Sequence, residues 1–417
     1  MKILLIDNFL YRRGGAEVVF LNTGNLLKSK GHEVVYFSQQ WSKNQPSEYN
    51  HFFPRGIDTK TSSLWERIQG VGKYFYNKEA ANQLEKLIIE QKPDIAHAHL
   101  FWGGISGSIF RVLQKYNIPL VHTAHDYRMV CPAYAFKNSA NQICEQCVGR
   151  KFHHCVKNRC SKGSLAMSFL MCIEMYFRNS FMNPIDYIDS FMFVSNFSYN
   201  KHLQYEPRFA NKHCVTMYNF QDASVLNSVE KGLLTHDSYY LYYGRLSHEK
   251  GLHVLIESFA DMPNLNLKIV GTGPMEEDLK LLCEEKQTSN IEFLGFKTGG
   301  ELFDIIRKAK FVCVPSECYE NNPMTIIESY TLRTPVIGSD LGGIIEIIED
   351  GITGYKFKPS DILSFKETVI KAENMSDVDY YEMKDSAEKF AEMHFDKELY
   401  YTRLMDLYQY TIDHYKH

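Results

Sequence analysis

Short runs of β-branched, aliphatic and aromatic residues alternate with helical patterns along nearly the whole chain, and this alternation limits the fold more than any other feature. Repeated strand–helix–strand units are the signature of a parallel sheet covered by helices. The first half predicts strands at Lys2–Asp7, Glu33–Ser38, Asp94–His99, Pro119–His125, Ser190–Ser195 and Cys214–Asn219. The series restarts in the second half, with predicted strands at Tyr239–Arg245, Asn266–Gly271, Ile291–Phe296, Phe311–Ser316 and Pro335–Asp340. The sequence therefore predicts an α/β protein made of two doubly wound domains in tandem.

The polar stretch Asp222–Ser238 separates the two series and is the predicted linker. It divides the chain into a Rossmann-like domain at residues 1–221, with a cysteine-rich insert at residues 131–162, and a second Rossmann-like domain at residues 222–396. Residues 397–417 form a last helical pattern with one aromatic face. Because ligands of doubly wound domains bind beyond the carboxyl ends of the strands, we look for the site in loops that follow strands.

Composition places the chain among soluble globular proteins, with 44% hydrophobic and 23% charged residues. The apolar start MKILLIDNF is short and contains Asp7, which is typical of a first buried strand rather than a signal peptide. No segment approaches the roughly 20 apolar residues of a membrane-spanning helix. We therefore expect a cytoplasmic protein.

Charge is unevenly divided between the two halves of the chain. Residues 1–220 contain 26 Lys and Arg against 16 Asp and Glu, whereas residues 221–417 contain 20 against 34. This pattern fits an anionic partner for the first half, and a chance drift in charge between domains explains it equally well. Since the basic residues are dispersed and no nucleic-acid-reading motif is present, nucleic acid is not an expected partner.

A pair of glycines, Gly14 and Gly15, follows the first predicted strand and precedes a helix. Such a pair lets backbone N–H groups approach a phosphate at the start of the helix, although a simple tight turn is an equally good explanation. The fingerprint G-x-G-x-x-G is missing and no acidic residue ends the second strand. Both absences argue against a nicotinamide-dependent oxidoreductase.

The loops of the second half carry more of the residues that phosphate chemistry needs. Arg245 and Lys250 follow one strand, and a single helical turn between them would place two cations beside a diphosphate. Gly271 and Gly273 follow the next strand and allow a close backbone approach, which would suit a planar base.

Two carboxylates flank a predicted helix start in the same half. Pro323 is predicted as the first helical residue, so Glu320 lies in the preceding loop and Glu328 lies about a turn and a half inside the helix. Carboxylates at that separation can accept hydrogen bonds from two hydroxyl-rich ends of one ligand. Free N–H groups near Met324 and Thr325 would meet the phosphates between them.

The order of these motifs resembles that of the retaining glycosyltransferases of family four, which have the GT-B architecture. The matching motifs are Gly14-Gly15, His125-Asp126, Arg245 with Lys250-Gly251, Gly271-x-Gly273, Glu320-x7-Glu328 and Gly342-Gly343-x-x-Glu346. The stretch His122–Pro132 and the cysteine-rich insert resemble members that build capsule, O-antigen and exopolysaccharide chains. The resemblance implies two Rossmann-like domains with a cleft between them and a C-terminal helix that returns to the N-terminal domain.

The resemblance also implies roles for single residues. Arg245 and Lys250 would bind the donor diphosphate, and Glu328 would hold the ribose hydroxyls. Glu320 would hold the hydroxyls of the donor sugar, and His125 would lie beside the reacting sugar. Gly15 would approach donor and acceptor from the N-terminal domain, whereas Arg128 has no role that the family assigns.

The implied activity is metal-independent, retaining transfer of a sugar from a nucleotide-diphosphate donor to a saccharide or lipid-linked saccharide acceptor, with no cofactor required for catalysis. A sugar-nucleotide 2-epimerase of the same architecture and a non-catalytic nucleotide-sugar-binding protein stay open as alternatives. Three positions depart from the family pattern: Arg333, which replaces a helix-ending Gly, the pair Ser329-Tyr330, and the hinge Tyr218-Asn219-Phe220.

Five of the ten cysteines lie between residues 131 and 160. A C-x2-C pair with further cysteines nearby is typical of a structural zinc site, and free thiols in a lid are an equally good interpretation. The predicted zinc ligands are Cys131, Cys144, Cys147 and Cys160. The segment Cys131–Lys162 contains six basic residues against the single acid Glu145.

Two apolar segments are candidates for peripheral contact with the cytoplasmic face of the inner membrane. Leu165–Phe177 is apolar nearly all round, which is more often typical of a core helix, and it follows the basic insert. Thr61–Tyr76 is the second candidate. Because acceptors in such pathways are usually lipid-linked, the family resemblance favours membrane contact.

Overall fold

The computed structural model describes residues 1–56, 64–221 and 239–415, and the side chains of these residues except 64–69. The chain divides into two compact units. Unit 1 comprises Met1–Ala140, Cys144–Met217 and Tyr401–His417, and unit 2 comprises Asn141–Ile143 and Tyr218–Tyr400. The predicted linker Asp222–Ser238 lies outside the described residues, so the predicted domain limits stay predictions.

Unit 1 is built on a parallel six-stranded sheet in the order β2-β1-β3-β4-β5-β6. Its strands are β1 (Lys2–Ile6), β2 (Glu33–Phe37), β3 (Ile95–Ala98), β4 (Leu120–Ala124), β5 (Ser190–Phe193) and β6 (His213–Thr216). Leu4 at its centre pairs with Val35 on one side and with Ala96 on the other. Ile3 to Ile6 are fully buried, as expected for a strand covered on both faces.

Helices connect these strands and cover the sheet. They are α1 (Gly15–Ser29), α2 (Leu64–Phe75), α3 (Lys78–Gln91), α4 (Ile109–Lys115), α5 (His153–Lys157), α6 (Leu165–Phe181), α7 (Pro184–Tyr187) and α8 (Asn196–Tyr205). Side chains cap the N-termini of several of these helices. Asn77 caps α3 by accepting a hydrogen bond from the Ala80 N–H at 3.1 Å, and Ser195 caps α8 in the same way.

Unit 2 contains a second parallel six-stranded sheet in the order β12-β11-β10-β7-β8-β9. Its strands are β7 (Tyr239–Tyr243), β8 (Asn266–Val270), β9 (Ile291–Gly295), β10 (Phe311–Val314), β11 (Val336–Ser339) and β12 (Gly354–Phe357). Strand β12 was not predicted, because four residues that begin with Gly carry too short an apolar run. Its register is clear, since Gly354 pairs with Val336.

The helices that cover unit 2 are α9 (Leu252–Ala260), α10 (Glu276–Glu285), α11 (Gly299–Lys308), α12 (Met324–Thr331), α13 (Ile344–Ile347), α14 (Ile362–Glu373) and α15 (Asp377–His394). Arg333, just after α12, has a φ of 58°, the left-handed conformation for which the family uses Gly. Its guanidinium pairs with Asp385 and Glu388 on α15, and these contacts offset the backbone cost.

The last helix, α16 (Lys397–Asp413), passes into unit 1 from Tyr401 onwards. The hydroxyl of Tyr408 lies 2.7 Å from Nδ1 of His97 on β3, and Thr411 donates to Ser190 on β5 at 2.8 Å. The predicted return of the C-terminal helix to the N-terminal domain is confirmed.

Each sheet has one point where the strand order reverses. In unit 1 the chain runs outward from β1 in one direction and from β3 in the other, and in unit 2 the same happens at β7 and β10. The carboxyl ends of two strands with diverging connections leave a crevice where doubly wound proteins bind ligands. The predicted α/β architecture of two doubly wound sheets is confirmed, and it places the candidate sites at these two points.

Candidate functional site

A close ion pair bridges the switch point of unit 2. Lys250 ends a short 3₁₀ turn (His248–Lys250) in the loop after β7, and Glu320 lies in the loop after β10. The Lys250 Nζ lies 2.5 Å from Oε1 of Glu320. Ser316 Oγ donates to the same carboxylate oxygen at 2.8 Å. Two of the predicted site residues, 70 positions apart, are therefore in contact at the carboxyl ends of neighbouring strands.

Both partners of this pair keep their charge. Burial disfavours the ammonium of Lys250, but the carboxylate of Glu320 outweighs that effect and raises its pKa. Burial also disfavours the ionised carboxyl of Glu320, and Lys250 with Ser316 reverses this and lowers its pKa. The two side chains are 29% and 15% exposed. The pair is thus a preformed charge arrangement that a ligand in the crevice can still reach.

Arg245 supplies a second cation in the same loop. Its side chain is exposed and makes no ion pair or hydrogen bond with any other described residue. The hydroxyl of Tyr242 donates to the Arg245 carbonyl oxygen at 2.8 Å and fixes the backbone there. An exposed guanidinium on a fixed backbone is suited to bind the oxygens of a phosphate.

The glycines of this edge are required because the loops pack against each other. A Cβ on Gly271 would lie 1.9 Å from the Gly244 carbonyl oxygen, and a Cβ on Gly273 would lie 2.2 Å from that of Leu246. The Met275 N–H also donates to the Leu246 carbonyl at 3.0 Å. The sequence analysis attributed Gly271 and Gly273 to contact with a base, and the described contacts give them a packing role between the loops after β7 and β8.

Helix α12 begins at this edge, one residue later than predicted. Pro323 has a ψ of 123° and is the N-cap, so Met324 is the first helical residue. This shift leaves the N–H groups of Met324 and Thr325 at the open end of the helix, where the described chain provides no acceptor for them. The N-terminus of the helix therefore presents two donors and its positive dipole end toward the crevice.

Glu328 lies on the same helix and interacts with a tyrosine that the sequence analysis did not identify. The buried hydroxyl of Tyr243, the last residue of β7, donates to the Thr325 carbonyl at 2.7 Å and lies 3.3 Å from Ser329 Oγ. Burial raises the pKa of Tyr243, and the nearby Glu328 carboxylate raises it further. The motif residue Ser329, which departs from the family pattern, is thereby used to position Tyr243.

Backbone contacts hold the loop that carries Glu320. The Gly343 N–H donates to the Glu320 carbonyl at 2.6 Å, and a Cβ on Gly343 would lie 1.8 Å from the Asn321 oxygen. On the other side, the Asn219 N–H donates to Oδ1 of Asn322 at 2.7 Å. The glycine pair 342–343 and the hinge residue Asn219 therefore fix the position of this loop. The sequence analysis missed Ser316, Tyr243 and Asn322, which carry no motif of their own.

The predicted glycine pair of unit 1 lies at that unit's own switch point, after β1. Gly14 is the N-cap of α1 and Gly15 is its first residue, directly after the β1 loop. Asp7 at the end of β1 is fully buried and accepts hydrogen bonds from the N–H groups of Phe9 and Leu100. Burial raises the pKa of Asp7 well above its usual value, and Glu17 on α1 raises it further. This edge of unit 1 therefore contains carboxyl groups in a poorly solvated setting.

His125 is the partly exposed end of a short chain of imidazoles. Its Nε2 lies 2.8 Å from Nδ1 of His99, and the two rings stack with centroids 5.0 Å apart. Burial lowers the pKa of His125 to about 3 and that of His99 well below its usual value. Both rings are therefore neutral at physiological pH, so His125 can accept or donate a hydrogen bond without carrying charge. His99 was not identified from the sequence, although the repeat His97-x-His99 at the end of β3 was a signal.

Arg128, to which the family assigns no role, stabilises the loop after β4. Its guanidinium forms an ion pair with Asp126 at 3.1 Å and lies 4.7 Å from the ring centre of Tyr134. The Arg128 N–H donates to Oδ1 of Asp126 at 2.9 Å. Asp126, next to His125, is thereby held in place.

The predicted cysteine site lies in the insert of unit 1 and away from the predicted donor residues in sequence. Cys131 and Cys147 are buried, and Cys144 and Cys160 are partly exposed. No helix within the described ranges is both long and apolar enough to cross a membrane.

Two family models match the chain one after the other. The model described as Glycosyltransferase Family 4 matches residues 13–154, and the model described as Glycosyl transferases group 1 matches residues 227–392. Together they cover most of the chain. A relative from Klebsiella pneumoniae, described as an uncharacterised 42.6 kDa protein in the cps region, is 24% identical over 366 residues, or 83% of this chain and 87% of the relative.

Solved structures share the fold of this chain. Sucrose-phosphate synthase from Thermosynechococcus elongatus has a TM-score of 0.72 at 17% identity over 98% of each chain. The Anabaena protein HepE in complex with UDP-glucose has a TM-score of 0.63 at 16% identity, over 97% of this chain and 98% of that one. These similarities confirm the GT-B fold. Glycosyltransferase models match both halves of the chain, so the chain is a glycosyltransferase whose first part matches the family 4 model.

Proposed function

We propose that this glycosyltransferase transfers a sugar from a nucleotide-diphosphate donor to a growing cell-surface polysaccharide. The observation that carries the proposal is the Lys250–Glu320 pair at the unit 2 switch point, with Arg245 on the same loop as Lys250. The crevice at such a point is where doubly wound proteins bind nucleotides. The similarity to HepE, which was solved with UDP-glucose, supports a nucleotide-sugar donor, and the similarity to a cps-region protein supports a role in polysaccharide synthesis.

Charge development at the leaving group explains these residue types. When the bond between the anomeric carbon and the donor phosphate breaks, negative charge grows on the nucleoside diphosphate. Arg245, Lys250 and the N–H groups of Met324 and Thr325 meet that charge without reorganisation, which is the most effective form of electrostatic catalysis. Because these groups belong to the chain itself, we propose that the reaction needs no divalent metal and no other cofactor.

The two carboxylates would orient the donor. Glu320 is held by Lys250 and Ser316, so its second oxygen can accept hydrogen bonds from the hydroxyls of the donor sugar. Glu328 lies about a turn and a half from the N-cap Pro323, where it would bind the ribose hydroxyls. Gly271 and Gly273 keep the loops after β7 and β8 closely packed, and the nucleotide would lie against the backbone of these two loops.

We propose that unit 1 binds the acceptor. Gly14 and Gly15 begin α1 with no side chain, which allows backbone N–H groups to approach a donor phosphate or an acceptor hydroxyl. His125 is neutral and held by His99, so it can hydrogen-bond the reacting sugar. We propose retention of the anomeric configuration: the acceptor oxygen attacks the face that the phosphate leaves, and the departing phosphate oxygen takes the acceptor proton.

Contact with an anionic membrane would bring the enzyme to a lipid-linked acceptor. On α6 the side chains of Leu165, Phe169, Ile173 and Tyr176 lie on one face and are 40–56% exposed. The insert just before this helix carries five exposed basic residues: Arg150, Lys151, Lys157, Arg159 and Lys162. An exposed apolar face beside a cluster of cations suits an anionic bilayer surface. The second predicted segment, Thr61–Tyr76, lies partly outside the described residues.

Turnover on a panel of nucleotide sugars tests the function. Nucleoside diphosphate release is measured with chelator present, with and without a lipid extract that contains acceptor. We expect one donor to be used in chelator and its turnover to rise with the extract. Turnover that does not change with any acceptor and yields a free isomerised sugar would show an epimerase instead. Binding of a donor without turnover would show a non-catalytic binding protein.

Co-sedimentation with vesicles tests the membrane contact separately. Phe169→Ser with Ile173→Ser should reduce binding to phosphatidylglycerol vesicles at least tenfold, whereas Leu363→Ser, at a 69% exposed position on α14, should not. Binding to vesicles of neutral lipid should be weak for all three proteins. Equal sedimentation of both variants with anionic vesicles would refute contact through α6.

A further inference from the structure

The cysteine-rich insert, residues 131–162, is folded with little regular secondary structure. Within it the described helices are α5, of five residues, and a 3₁₀ turn at Val148–Arg150. Left-handed conformations are frequent among its non-glycine residues, at Tyr134, Phe136, Asn141, Arg150, Arg159 and Lys162. Such conformations are unfavourable for residues with a Cβ and persist where the surroundings hold them. Something other than helix or sheet must therefore define this fold.

The sulfur atoms of the insert converge on one another. The thiols of Cys144 and Cys155 both hydrogen-bond to the sulfur of Cys160. The backbone N–H of Cys155 points to the sulfur of Cys147, and Cys131 interacts electrostatically with Cys144 and Cys160. Cysteines that are up to 29 positions apart in the sequence of the insert are thus neighbours in space.

Four of these sulfurs accept hydrogen bonds from N–H groups. Cys131 accepts from the N–H groups of Ala133 and Phe136, and Cys147 accepts from that of Cys155.

Cys144 receives the Asn158 side-chain N–H at 3.4 Å, and Cys160 receives two thiols and its own N–H. N–H donors around a sulfur stabilise its thiolate form and orient metal ligands. Cys155 donates to Cys160.

The charge around the insert complements an anionic centre. The insert contains six basic residues and one acidic residue, Glu145, whose carboxylate forms an ion pair with Lys201 at 2.5 Å. The Nζ of Lys137 is buried and has no hydrogen-bond partner among the described groups. A buried ammonium without a partner is costly, and an anionic centre in the same insert would reduce that cost.

We propose that Cys131, Cys144, Cys147 and Cys160 bind one structural Zn²⁺ in a tetrahedral site of four thiolates, with Cys155 as a hydrogen-bond donor to the site. The pair Cys144-x2-Cys147 has the spacing of zinc ligands. Binding releases the four thiol protons and leaves a centre of net charge −2, which the basic insert surrounds. Among the described residues no three His, Cys, Asp or Glu side chains already have the geometry of a metal site. The metal would therefore draw the sulfurs together and complete the fold of the insert.

Metal content and Co²⁺ substitution test this proposal on the full chain. Protein purified under reducing conditions from cells supplied with zinc should contain about one zinc per chain. Cys144→Ser should lower that content at least tenfold. Cys155→Ser, the matched control in the same segment, should keep it, because serine retains a donor to Cys160.

Co²⁺ added to the reduced, metal-free protein provides a readout that does not depend on either variant. A tetrahedral thiolate site gives intense visible absorption with sulfur-to-metal charge transfer, and it should saturate at one equivalent. Folded wild-type protein that contains no zinc and gives no such spectrum would overturn the proposal. Loss of zinc in Cys155→Ser with retention in Cys144→Ser would overturn the assignment of ligands. Neither result bears on the donor site in unit 2, so the proposed function is tested independently.

Discussion

Replacing Lys250 by Met tests whether this side chain acts on the leaving group or only stabilises the fold. Removing one preorganised group that stabilises developing negative charge costs about 10²–10³-fold in kcat, or about 3–4 kcal/mol. The substitution also leaves the Glu320 carboxylate without its cation. A fully buried pair would lose about 3–5 kcal/mol on such a change, and the partial exposure of both side chains reduces this to about 2 kcal/mol.

A second substitution separates the two effects. In the double variant Lys250→Met with Glu320→Gln the unpaired charge is gone, so most of the lost stability should return while turnover stays low. Lys366→Met removes a pair with Asp261 at 2.8 Å on the surface of unit 2 and should alter neither quantity much. Urea unfolding gives the stability and release of nucleoside diphosphate gives kcat. Turnover of Lys250→Met within threefold of wild type would refute the leaving-group role, and turnover restored in the double variant would assign Lys250 to folding alone.

Three further predictions concern packing, positioning and pH. Gly273→Ala places a Cβ 2.2 Å from the Leu246 oxygen and should destabilise the chain by about 1–3 kcal/mol in urea unfolding, whereas Gly300→Ala, with open space around it, should not. Ser316→Ala removes a hydrogen bond to the Glu320 carboxylate and should lower kcat/KM about tenfold; an unchanged value would exclude a positioning role. Burial lowers the pKa of His122 and His202 to about 4, so the unfolded state binds more protons below pH 6.5. The free energy of unfolding at pH 5 should therefore be about 2 kcal/mol lower per histidine than it is above pH 6.5. A free energy of unfolding that stays constant over this range would contradict the prediction.

The two sheets were predictable because parallel strands buried on both faces are continuous apolar runs. Eleven strands were predicted from such runs, each within three residues of its observed ends, and the short β12 was missed because it lacks one. The start of α12 was predicted one residue early, since Pro is tolerated both at the cap and at the first position of a helix.

The candidate site was predictable only where residues carry charge or a motif. The spacing of Lys250 and Glu320 indicated separate loops, and the contact between them depends on β7 and β10 being neighbours in the sheet. Tyr243 and Ser316 lie at the ends of strands and look like ordinary strand residues in the sequence. Gly271 and Gly273 were identified, but their packing against Gly244 and Leu246 follows from the order of β7 and β8, which a linear pattern does not contain.

Binding of nucleoside diphosphates in the presence of chelator tests whether Arg245 and Lys250 hold the diphosphate without a metal. Calorimetric titration with UDP, GDP and ADP is carried out on the wild type and on the double variant Arg245→Met with Lys250→Met. We expect that at least one of the three nucleotides binds to the wild type without metal, and that the double variant binds it at least tenfold more weakly. Equal affinity in the two proteins, or binding that appears only when a divalent metal is added, would contradict it.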